Sequence, residues 1–225
     1  MANDQEKEAA ARASLKFIKD GQVVGLGTGS TAAYFIKLLA EKVKNGLGIR
    51  GIPTSVQSHD LALGLGIPLT TLDECQEIAV TVDGADEVDP QLRLIKGGGG
   101  AMLREKIVAS TTKQLVIIAD GSKQVSMLGR FPLPVEVIPF AQAVVAKRIQ
   151  ALGAEVRLRM AANGKPFITD QENHILDCRF GAIRDPENLS RQLNDIPGLV
   201  EHGLFINMAN VAIFARGGEI IELQR

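Results

Sequence analysis

The segment QVVGLGTGSTAAYFIKLLAEKVKNG, residues 22–46, constrains the fold more than any other stretch of the chain. A short apolar strand runs into a glycine-rich turn, and a long amphipathic helix follows and ends at Gly46. Strands alternating with helices argue for a largely parallel sheet, because a helical crossover returns the chain to the end of the sheet where the previous strand began. The pattern recurs downstream. IRGIPTS reads as a second strand and residues 57–65 as a short helix; EIAVTVDGAD and QLRLIKG read as strands, a helix begins near Ala101, and QLVIIAD is a further strand. Upstream, Ala9, Ala13, Leu15, Phe17 and Ile18 lie at helical spacing and Gly21 closes that helix. The expectation is an α/β fold built on a largely parallel, Rossmann-like sheet with helices on both faces.

Past residue 130 the order changes. PLPVEVI, FAQAVVAKRIQALG, EVRLRM, NHILDCRF, PENLSRQLNDI and a strand near GLFI give βαββαβ, the order of a ferredoxin-like α+β unit. The tail VAIFARGGEIIEL reads as a hairpin turning at Gly217 and Gly218 and returning to the first sheet. The expected division is therefore an α/β domain, residues 1–130 with 207–225, and a smaller α+β domain, residues 131–206.

Charge narrows the partners. Lys and Arg number 25 against 26 Asp and Glu, and no stretch interleaves basic with aromatic residues, so the footprint of a nucleic-acid binder is missing. The opening MANDQEKEAAARASLKFIKDG carries Asp4, Glu6 and Glu8 and has no apolar core, unlike a secretory signal or transit peptide. No apolar run reaches membrane-spanning length. Cys75 and Cys178 form no CxxC pattern and suit a reducing compartment, so a cytoplasmic location without membrane attachment is expected.

Three loops carry the candidate chemistry. In GLGTGST, glycines let the backbone approach a phosphate, while helix amides and the hydroxyls of Thr28, Ser30 and Thr31 can donate to its oxygens. A dinucleotide site would want an acid after the second strand and a P-loop would end in GK[ST]; neither is present. In VTVDGADEVD, a strand delivers Asp83 at its carboxyl end, and Asp86 follows within one turn, whereas Asp89 before Pro90 reads as a turn cap. In IKGGGGAMLREK, Lys96 precedes the glycines, and Glu105 sits on a helical stripe with Ala101, Met102, Val108 and Ala109. An acid there is either half-exposed near Arg104 and Lys106, or buried with a raised pKa that suits a general base. Lys123 follows the strand QLVIIAD and reaches the same sheet edge. His59, His174 and His202 have no ligand spacing such as HExxH, which leaves zinc hydrolysis without support; acids at strand ends can hold a magnesium ion, although no EF-hand spacing is present.

Together GLGTGST, VDGADEVD, KGGGGAMLREKI, SKQVSMLGRFPLPVEVIP and the late GLF resemble the type A family of ribose-5-phosphate isomerases along essentially the whole chain. The resemblance implies an aldose–ketose isomerase of the non-oxidative pentose phosphate pathway, with a sugar-phosphate substrate, no cofactor, and a homodimer or homotetramer. It implies Glu105 as the base of a cis-enediolate mechanism, Lys96 stabilising the oxyanion, and Asp83 with Asp86 binding sugar hydroxyls and assisting ring opening. Substrate binding falls on Lys7, Thr28, Gly29, Ser30, Thr31, Gly84, Ala85, Gly97, Gly98, Gly99 and Lys123. Leu103 stands where some members have threonine, and Gly97–Gly100 where some have three glycines. Two rivals have other requirements: an amino-sugar phosphate deaminase would want a histidine by these loops, and a non-catalytic effector-binding module would lack a placed base.

Overall fold

The computed structural model describes residues 2–225. The first half runs α1 (Ala2–Ser14), β1 (Val23–Leu26), α2 (Ser30–Lys44), β2 (Arg50–Pro53), α3 (Val56–Gly64), β3 (Ile78–Asp83), β4 (Glu87–Val88), β5 (Leu94–Ile95), α4 (Met102–Ser110) and β6 (Thr112–Asp120). The second half runs β7 (Leu133–Val137), α5 (Gln142–Ala151), β8 (Glu155–Leu158), β9 (His174–Arg179), α6 (Pro186–Asn194), β10 (Leu199–His202), β11 (Leu204–Phe205), β12 (Ala209–Arg216) and β13 (Glu219–Gln224).

Six strands form the central sheet in the order β13-β12-β6-β3-β1-β2. All neighbours pair in parallel except the edge strand β13, which returns antiparallel along β12 after the turn at Gly217 and Gly218. Alternation along the strands divides the core between the two faces. Val116 and Ile118 of β6, with Val211 and Ile213 of β12, pack with Phe35, Ile36 and Leu39 of α2 and Ala10 and Ala11 of α1. Their alternate neighbours Leu115, Ile117, Ala212 and Phe214 pack on the opposite face with Ala109 of α4 and Phe205 of β11.

A second sheet, β10-β7-β9-β8, is antiparallel throughout. Its chain order is ferredoxin-like, and Val135, Val137, Leu176 and Cys178 pack there with Val145 and Ile149 of α5 and Leu193 of α6. Two expected strands sit elsewhere. QLRLIKG supplies only β5, which leaves the parallel sheet and joins β4 and β11 in a three-stranded sheet. GLFI supplies β11 in that same sheet, while the fourth strand of the ferredoxin-like unit is the preceding β10. Both sequences are short and apolar, and period alone could not assign them to a sheet. No helix among the described residues is long and apolar enough to cross a membrane.

Candidate active site

Strand order sets the position of the site. From β1 the chain crosses to β2 on one side and later to β3 on the other, so the loops at the carboxyl ends of β1 and β3 part and leave a crevice. A cavity of about 180 Å³ opens there. Its walls are the loop after β1 (Thr28, Gly29, Ser30, Thr31), the loop after β3 (Gly84, Ala85, Asp86), and the glycine run with Lys96, Gly97, Gly98 and Gly99. Glu105 of α4, Lys123 after β6 and Lys7 of α1 complete the expected set. A larger groove beside Thr70, Glu74 and Ile107 contains none of these residues.

Two features shape the β1 loop, the second of them against expectation. Gly29, at φ +104°, is the N-cap of α2, so among the described residues no side chain caps the helix, and its first amides lie at the cavity. The Thr28 hydroxyl is turned into a hydroxyl cluster, donating to Ser55 Oγ at 2.8 Å and lying 2.7 Å from Thr54 Oγ1 and 3.0 Å from Ser58 Oγ. Thr28 therefore offers backbone and methyl to the cavity, and the hydroxyls left for a ligand are those of Ser30 and Thr31.

Asp83 lies behind the wall. It is 1% exposed and does not line the cavity. Its Oδ1 accepts from the backbone N–H of Thr28 at 3.1 Å and Gly84 at 2.7 Å, and its Oδ2 pairs with Lys96 Nζ at 2.9 Å. Gly27 permits this, since a Cβ there would come within 2.2 Å of Asp83 Oδ1. A carboxylate engaged on both oxygens orders the β1 loop and holds the lysine. Asp86 is the acid that faces the cavity, its Oδ2 accepting from Gly98 N at 2.7 Å. Asp89 caps its turn, accepting from the amides of Gln91 and Arg93.

Lys96 donates to the Gly84 carbonyl at 2.6 Å and stands 3.4 Å from Glu105 Oε2. Burial acts to strip its proton, but Asp83 and then Glu105 outweigh burial and raise its pKa above the ordinary lysine value. Glu105 itself is buried, resolving the choice that its apolar stripe left open. Burial pushes its carboxyl up to about 8, with Asp83 adding to the rise and Lys96 opposing it. Its Oε2 lies at ion-pair distance from Lys96 but off hydrogen-bond geometry, and has no hydrogen-bond partner among the described residues. An unsatisfied buried carboxylate oxygen at a cavity wall is costly to folding and available to a reacting proton. Next along α4, Lys106 pairs with Glu201 at 2.6 Å and donates to the His202 carbonyl at 2.6 Å, tying the helix to β10.

Two further lining residues, Asn3 and Asp120, were not anticipated. Asp120 ends β6 as Asp83 ends β3, and the same reading of acids at strand ends finds it; Asn3 carries no such signal. Asp120 is occupied in capping its turn, accepting from the Ser122 amide at 3.0 Å and from the Ser122 hydroxyl. None of His59, His174 and His202 lines the cavity. No cluster of His, Cys, Asp and Glu fit for a metal occurs among the described residues.

An α/β sheet that gathers an uncapped helix start, a glycine run and a buried Glu–Lys pair into one crevice fits an enzyme of the sugar-phosphate isomerase class. The family model for ribose 5-phosphate isomerase A (phosphoriboisomerase A) matches residues 50–219, and the chain belongs to that family. The chain is 55% identical to the ribose-5-phosphate isomerase A of Parvibaculum lavamentivorans, over 98% of this chain and 99% of the relative. Its fold is similar to a solved D-ribose-5-phosphate isomerase in complex with phospho-erythronic acid, with TM-score 0.97, 44% identity and full coverage of both chains. It is also similar to ribose 5-phosphate isomerase A of Methanocaldococcus jannaschii, with TM-score 0.93 and 41% identity over 97% of this chain and 98% of that one.

Proposed function

We propose that this isomerase interconverts D-ribose 5-phosphate and D-ribulose 5-phosphate, a step of the non-oxidative pentose phosphate pathway, with Glu105 as the base. The observation that carries the reading is the buried Glu105 carboxyl, one oxygen without a hydrogen-bond partner among the described residues, beside a lysine held cationic. The substrate phosphate docks on the α2 amides, Ser30 and Thr31, with Lys7 and Lys123 supplying positive charge at the same cavity. Asp86 binds sugar hydroxyls and moves the proton between ring oxygen and anomeric hydroxyl as the furanose opens; Asp83 acts through Lys96 and the β1 loop.

In the open chain Glu105 takes the proton from C2. The C2–H electron pair becomes the C1–C2 double bond, and the C1 carbonyl pair moves onto O1. The resulting cis-enediolate is stabilised by Lys96 and the glycine amides, where one aligned donor contributes on the order of 3 kcal/mol. The O2 proton shifts to O1, C2 becomes the carbonyl, and Glu105 returns its proton to C1. Holding the phosphate fixes both carbons against one carboxylate.

The test supplies ribose 5-phosphate in the presence of EDTA and measures ribulose 5-phosphate. Wild type is expected to turn over and Glu105→Gln to lose about 10²-fold or more in kcat. Absence of ketose from folded wild type overturns the substrate; equal turnover by the variant overturns the base. A second reading, deamination of an amino-sugar phosphate, has no histidine at the cavity to support it.

The same reading divides the chain into a catalytic unit, residues 1–130 with 207–225, and a lid or assembly unit, residues 131–206. It includes a cytoplasmic location and a homodimer or homotetramer. The nearly fully exposed Phe140 beside exposed Val144 supports assembly, and a monomeric mass by light scattering would refute it.

A further inference from the structure

We propose that Arg159 is a positioning residue of this reaction, a cation on the small antiparallel unit that aims the Gly99 amide at the oxyanion. The inference rests on the isomerase reading above. Arg159 lies just beyond β8, largely buried. Its Nη1 donates to the carbonyls of Gly97 at 2.9 Å and Gly98 at 3.1 Å. Its Nε and Nη2 clasp the carboxylate of Asp177 on β9, and its guanidinium carbon lies 5.9 Å from the Phe167 ring centroid. Phe167 in turn packs against Gly100, where a Cβ would come within 2.5 Å of the ring.

Peptide geometry turns these contacts into function. The Gly97 carbonyl shares a plane with the Gly98 N–H, and the Gly98 carbonyl shares one with the Gly99 N–H. No peptide bond in the described chain is cis, so in each plane the N–H points opposite to the carbonyl. With both carbonyls pinned on Arg159, both N–H groups are turned the other way. The Gly98 N–H meets Asp86, a cavity acid, and the Gly99 N–H has no partner among the described residues. A peptide flanked by glycines rotates at little cost, and no side chain of the run itself can fix it. A cation on the carbonyl also polarises the plane and strengthens its N–H as a donor. Arg159 therefore both orients and sharpens the amide left free for O1.

The experiment compares wild type, Arg159→Met and Arg159→Lys for turnover of ribose 5-phosphate and for binding of phospho-erythronic acid and inorganic phosphate. Loss of an aimed donor is expected to lower kcat about tenfold or more in Arg159→Met, with KM within about threefold. Binding of phospho-erythronic acid weakens with it, inorganic phosphate binding holds, and Arg159→Lys recovers part of kcat. In unliganded protein labelled with ¹⁵N-glycine, the Gly99 amide proton resonance moves to higher field in Arg159→Met while that of Gly29 stays.

A folded Arg159→Met with kcat within about twofold of wild type overturns the proposal, as does an unmoved Gly99 resonance. An equal loss of inorganic phosphate binding also overturns it, because the effect would then be general loosening. If Arg159→Met does not fold, Asp177→Asn takes its place with the same expectations and the same overturning results. Inactive wild type refutes the isomerase reading alone, and the Gly99 resonance still decides whether Arg159 aims the loop.

Discussion

Moving Glu105 from water to its buried place beside Lys96 raises its pKa from 4.5 to about 8, so the folded protein keeps a proton that the unfolded chain has released. The sign follows from linkage: a group binding more protons in the folded state makes stability fall as pH rises between the two values. Wild type should therefore lose stability from about pH 4.5 to about 8 at this site. Glu105→Gln removes that loss. The variant should be more stable than wild type by about 1 kcal/mol or more at pH 9, with the gap closing at pH 5, as read from urea denaturation at both values. A residue that costs stability where it is ionised, yet sits on a cavity wall, fits a site shaped for chemistry. The apolar stripe made Glu105 conspicuous in the sequence. Its burial, and the place of Asp83 behind rather than in the wall, depend on Lys96 and Gly27 and were not readable from spacing.

At the scale of elements, the glycine run is a turn between β5 and α4. The Gly100 amide donates to the Gly97 carbonyl at 3.0 Å, and Gly97 and Gly100 have φ of +102° and +82°. Only glycine takes such angles without strain. Gly100→Ala adds to that strain a clash with Phe167, and should destabilise the protein by about 1–3 kcal/mol. Equilibrium denaturation gives the change, and because Gly100 does not line the cavity, KM for a properly folded fraction should stay near the wild-type value. The turn and a helix start near residue 101 were legible as four consecutive glycines before a helical pattern, and α4 begins at Met102. The ring that makes the last of them obligatory comes from residue 167, beyond the reach of any local pattern.

For the whole molecule, the arm from Arg159 to Asp177 joins the ferredoxin-like unit to the parallel sheet's loops. Besides Arg159 and Phe167, it supplies Asp170, whose Oδ2 accepts from the Val56 amide at the start of α3 at 2.8 Å and lies 3.7 Å from Arg104. A carboxylate at a helix N-terminus complements its free amides and dipole. The ion pair is half-exposed and contributes little, so Asp170→Ala should cost about 1 kcal/mol, mainly through the amide, and lower Tm by roughly 2–4 °C in a thermal scan. Faster hydrogen exchange around residues 56–60 would accompany it. The sequence alone determined the α/β sheet, the ferredoxin-like order and the three loops that wall the cavity, because strand alternation, helical periodicity and glycine punctuation are local properties. Only the tertiary structure decided which acid faces the cavity, that Thr28 spends its hydroxyl on Thr54, Ser55 and Ser58, and that Arg159 pins the glycine carbonyls. Those outcomes depend on contacts between residues 12 to 62 positions apart, and burial and hydrogen-bond partnership at that separation exist only once the chain has packed.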